Sequence, residues 1–70
     1  MLNINALRSK MALFGDTVQS LAKHLGIARQ SLSAKIKGQN GAEFNQGEID
    51  SIKRKYNLSA SEVVDIFFTD

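Results

Sequence analysis

The segment from Thr17 to Gly38, TVQSLAKHLGIARQSLSAKIKG, restricts the chain more than any other. Leu21, Ala22 and Leu25 share one helical face, and Leu32 and Ile36 share a face of a second helix. Gly26 separates the two runs and marks a tight turn. Ala22 stands four residues before Gly26, where a small side chain lets two helices cross closely. Over residues 17–37 this is the spacing of a helix-turn-helix.

The rest of the chain carries the same helical punctuation. It contains no proline. Ile4, Leu7, Met11 and Phe14 recur at helical spacing, so a first helix is expected from Asn3 or Asn5 to Phe14, with these four facing the core. Gly15 ends it, and Thr17 caps the second helix, which ends at Gly26. The third is expected from Ala28 to Lys37. Ala28 occupies its cap position, and alanine is a poor cap by ~1 kcal/mol. After a polar loop, Asn45 and Glu48 form a capping box, with Phe44 and Ile49 as a hydrophobic staple. The fourth helix should bury Ile49, Ile52 and Tyr56 and stop at Asn57. Ser59 and Glu62 repeat the box, and Leu58 and Val63 repeat the staple, for a fifth helix over residues 60–68. The expectation is an all-α, compact five-helix single domain spanning residues 1–70.

Seventy residues make a marginal core, and chains this short often rely on metals, disulfides or a partner subunit. There is no cysteine, which removes disulfides and thiolate metal sites and fits a reducing compartment. No apolar run approaches the ~20 residues of a membrane span. The opening MLNINALRSK lacks the layout of a signal peptide. A cytoplasmic protein is expected, with no membrane partner. Charge is unevenly divided. Residues 1–37 carry six cations against Asp16 alone, and residues 38–70 carry three cations against six anions. The basic half contains the helix-turn-helix, and a local basic surface is the footprint of phosphate binding. Scattered charge that only keeps a small domain soluble would also be compatible.

With Leu32 and Ile36 against the core, the third helix turns Arg29, Gln30, Ser33, Ala34 and Lys37 outward. This face has no large apolar residue. Arg29 can pair bidentately with guanine, Gln30 with adenine, Ser33 with either, and the Ala34 methyl can meet a thymine methyl. An ordinary solvated face is the bland alternative. Phosphate contacts are expected around it. Thr17 and Gln19 open the second helix, Ser31 and Lys35 flank the third, and Lys37, Gln39 and Asn40 close it. A plain polar turn explains Gln39 and Asn40 equally well.

The pattern Leu21-Ala22, Leu25-Gly26-Ile27, Leu32-Ser33, Ile36-Lys37-Gly38 resembles the lambda-repressor-like helix-turn-helix family. The size, the KIKG-loop-EF segment and the closing EVVDIFF resemble the small Cro-like repressors of temperate phages of Gram-positive bacteria. The resemblance implies a lambda-repressor-like DNA-binding domain that represses transcription at double-stranded operator DNA, often as a dimer, nucleoid-associated in a bacterial host. Its base-reading positions fall on Ala28, Arg29, Gln30, Ser33 and Ala34, and a backbone-contacting position on Lys37. Two residues depart from the pattern. Val18 stands where the family usually has glutamine, with Gln19 one place later, and Ala28 stands where serine or threonine usually starts the recognition helix. Both changes remove polar groups from the DNA side.

The fifth helix holds two apolar stripes, Val63, Ile66 and Phe67, and Val64 and Phe68. Either all five residues are core, or Val64 and Phe68 with Leu58 form a patch for a homodimer or for a heteromer with a phage repressor. A protein-interaction regulator of the same fold is the alternative to an operator-binding repressor. No enzyme activity, cofactor, metal or small-molecule ligand is expected. His24 is the only histidine, and an exposed position is expected for it. The run Lys53-Arg54-Lys55 spreads over different helix faces and is expected to be solvated.

Overall fold

The computed structural model describes residues 2–68, which form five α-helices. These are α1 (Ile4–Leu13), α2 (Val18–Leu25), α3 (Arg29–Lys37), α4 (Gln46–Lys55) and α5 (Ala60–Phe67). One 3-10 turn, Gln39–Gly41, links α3 to α4, and no strand occurs among the described residues. The radius of gyration is 10.9 Å, close to the ~11 Å of a compact domain of this length.

Four helices start on a side-chain cap. The Asn3 side chain accepts from the Ala6 N–H of α1 at 3.1 Å. Asn45 with Glu48 and Ser59 with Glu62 form the expected reciprocal boxes at α4 and α5. At α2 the box pairs Thr17 with Ser20, whose hydroxyl accepts from the Thr17 N–H at 2.9 Å. Only α3 lacks a side-chain cap, as its Ala28 start implies.

Three helices end on the same device. After α2, Gly26 adopts left-handed φ of 73°, its N–H donates to the Lys23 carbonyl, and the Ile27 N–H donates to the Ala22 carbonyl. This is a Schellman motif, and it turns the chain within three residues toward α3. The ends of α1 and α4 repeat the bonding. Gly15 and Asp16 donate to Ala12 and Met11, and Asn57 and Leu58 donate to Arg54 and Lys53.

The core takes residues from every helix. Leu7, Leu21, Leu32 and Ile52 are fully buried, and Ile66 and Phe67 of α5 complete it. α3 packs chiefly on α2, and α1 on α5. The first and last helices are also tied by polar groups. The Asn3 N–H donates to the Ile66 carbonyl at 2.6 Å, and Lys10 pairs with Glu62 at 2.6 Å.

Two expectations are corrected. Phe14 does not face the core. α1 stops at Leu13, the Phe14 backbone leaves the helical path, and the ring is half exposed. It lies 4.9 Å from the Tyr56 ring instead. Leu58 does not belong to an exposed patch, since it is only 5% exposed. It follows the left-handed Asn57 in the turn ending α4 and precedes the Ser59 cap, so both motifs direct its side chain inward.

Candidate functional site

The exposed side of α3 is set by how α2 and α3 meet. Ala22 is buried, and Leu32 and Ile36 fix the inner face of α3. Arg29 and Gln30 are exposed, and Ser33 and Ala34 are half-buried. Arg29, Gln30 and Ser33 line a shallow recess of about 250 Å³ together with Gln39 from the following turn. Every side chain on that recess can donate or accept hydrogen bonds, and none is apolar. Thr17, Gln19, Ala28, Ser31, Lys37 and Asn40 are also exposed. His24 is exposed as well.

Lys35 is differently placed. Its ammonium donates to both Glu48 carboxylate oxygens, at 2.6 and 2.7 Å. Glu48 also accepts from the Asn45 N–H at 2.9 Å and is only 8% exposed. Burial pushes the Glu48 carboxyl up, but the Lys35 hydrogen bond, the Asn45 N–H and the Lys35 charge outweigh it and hold it below the usual range. Lys35 therefore differs from Lys37, which is exposed.

A second polar group supports the start of α2. The Tyr56 hydroxyl donates to Asp16 at 2.7 Å, and the Ser20 hydroxyl donates to the other Asp16 oxygen at 2.9 Å. Lys55 approaches Asp16 at 3.3 Å. Burial raises the Asp16 carboxyl, while Tyr56, Ser20 and Lys55 together bring it below its ordinary value. Burial, followed by the Asp16 hydrogen bond and charge, drives the Tyr56 phenol well above its ordinary value. Sequence reasoning assigned Glu48 only to a cap and gave Asp16 no role. The Asp16 contact spans forty positions to Tyr56, and nothing in local spacing signals it.

On another part of the surface, Val64 is 53% and Phe68 54% exposed. Phe68 also edges an apolar groove of about 560 Å³, whose walls include Ile36, Phe44, Ile49 and Phe67. The Phe44 and Phe67 rings meet edge-on within it, 5.5 Å apart. Among the described residues no cluster of histidine and carboxylate side chains could hold a metal ion. No helix among them is long and apolar enough to cross a membrane.

Comparison of the chain with protein-family models, with curated proteins and with solved structures finds no match in any of the three.

Proposed function

We propose that the protein is a sequence-specific DNA-binding transcriptional regulator of the lambda-repressor-like type, acting as a phage Cro-like repressor. In this reading α2 and α3 are the helix-turn-helix, and α3 lies in the major groove of operator DNA. The observation that carries it is the wholly polar recess of Arg29, Gln30, Ser33 and Gln39, formed by the outer side of α3 and the turn after it, on a helix anchored by buried Leu32 and Ile36. Arg29 and Gln30 read base edges from the N-terminal end of α3, with Ser33 and Ala34 one turn further on. Ala28 lies beside them. Thr17, Gln19, Ser31, Lys37 and Asn40 hold the phosphates and set register without specifying sequence. The protein is not an enzyme in this reading and works in the bacterial cytoplasm.

The test is a titration of the purified protein against duplexes selected from a random pool, at two salt concentrations. Selective binding with a steep salt dependence is expected. Arg29→Ala should weaken binding to the selected site by ~1–3 kcal/mol and relax selectivity at one base pair. Unchanged affinity in that variant would refute the assignment of α3.

A second reading rests on a different observation, the exposed Val64 and Phe68 on α5. Here the same fold acts by binding a protein, such as a phage repressor. Val64→Asp would abolish partner binding and Arg29→Ala would leave it intact, the reverse of the first pattern.

A further inference from the structure

Among the described residues no backbone hydrogen bond joins α3 to α4 or α5. α3 packs chiefly on α2, its Leu32 and Ile36 join the core that also holds Ile49 and Ile52 of α4, and its N-terminal end has no side-chain cap. Its C-terminal end runs into a turn where Gly38, Asn40 and Gly41 all take left-handed conformations. Beside that apolar contact, one polar tie among the described residues joins α3 to α4. Lys35 reaches Glu48 in the first turn of α4, and Glu48 is itself fixed by Asn45 through the capping box. Lys35 is two residues beyond Ser33, which turns it about 160° around the helix from the recess.

From this geometry we infer that Lys35 and Glu48 are positioning residues, a clamp that sets the direction of α3, and that Lys35 is not a phosphate ligand. The functional half of this inference rests on the DNA reading of α3, and the structural half does not. Glu48 holds three donor contacts with little exposure, so it is a fixed anchor. Lys35 is the cable. A helix that enters a groove must hold its angle, since a small rotation moves Arg29 and Gln30 off their base edges together. Lys37 remains outward to meet the backbone.

Two readouts on the full chain separate these halves. Residual dipolar couplings of backbone amides, measured without DNA, report helix directions in the native protein, Lys35→Met and Glu48→Gln. The couplings of α3 should shift as a block in both variants while those of α1, α4 and α5 stay. Unchanged α3 couplings would overturn the clamp. Duplex binding is then followed across a salt series with a random-sequence duplex and the selected site. Lys35→Met should keep the native salt slope and lose about tenfold of its preference for the selected site, the scale of one base contact. Lys37→Met should lower the slope by about 0.9 and keep the preference. A Lys35→Met slope lowered by about 0.9, with preference intact, would make Lys35 a phosphate ligand and overturn the inference. If Lys35→Met fails to fold, Glu48→Gln decides, because glutamine still accepts from the Asn45 N–H. Its preference should fall with no loss of slope, and a retained preference counts against the clamp. A native protein that binds neither duplex would refute the DNA reading alone, and the couplings would still decide the clamp.

Discussion

Tyr56→Phe isolates one hydrogen bond and tests how firmly α2 is held. The ring is 3% exposed, and phenylalanine keeps its shape, so no cavity opens. What is lost is the 2.7 Å bond from the hydroxyl to the Asp16 carboxylate. A bond to a charged group contributes ~1.5–3 kcal/mol. Asp16 keeps Ser20 and Lys55 and is not orphaned, so the cost should be about 2 kcal/mol near neutral pH. In a domain of this size that lowers Tm by about 10 °C. The pH dependence follows from Asp16. Its native carboxyl lies below its ordinary value of 3.8, so the stabilisation is present above that value and disappears as pH falls through the native one. Thermal and urea unfolding by circular dichroism, with Asp16→Asn as the partner in a double-mutant cycle, measures both. Circular dichroism is the right probe because Tyr56 is the only tyrosine and the chain has no tryptophan. An unchanged Tm at neutral pH, or an equal loss above and below the titration of Asp16, would refute this account.

Other perturbations give sharp outcomes. Ala28→Ser supplies the missing cap of α3, at a residue already in extended geometry, and should raise stability by ~1 kcal/mol in urea unfolding. Leu32→Ala empties a fully buried site and should cost ~2–5 kcal/mol by the same measurement. Acid should destabilise the protein. Asp16 and Glu48 sit below their ordinary values, and hydrogen bonds donated to Glu62 by Lys10 and by the Ser59 N–H bring its carboxyl to about 2. Each such group stabilises above its unfolded pKa and loses that contribution as pH falls through its native one, so Tm should decline steadily from about pH 5 downward. In alkali the sign reverses for Tyr56, whose raised phenol makes stability fall as pH rises past 10.

Local chemistry determined the number, order and starts of the helices. Asn45 with Glu48 and Ser59 with Glu62 are complete instructions, because a cap needs only groups three residues apart. Gly26 likewise marked its turn through its own conformational freedom, and the 3.6-residue period placed Leu32 and Ile36 inside with Arg29 and Gln30 outside. The candidate site was legible for the same reason, since its members lie on one helix face and the turn after it. Tertiary structure decided what depends on distant partners. Leu58 became core and Val64 and Phe68 stayed exposed, although all three are apolar residues of one short stretch, because the turn at Asn57 aims only the first inward. Lys35 and Lys37 are identical side chains two residues apart, yet Lys35 meets a carboxylate thirteen positions away while Lys37 lies exposed. Asp16 became a hub through Tyr56, forty positions along. Ion pairs and buried hydrogen bonds of this kind leave no periodic trace in a sequence, because they depend on where two separately formed helices come to rest.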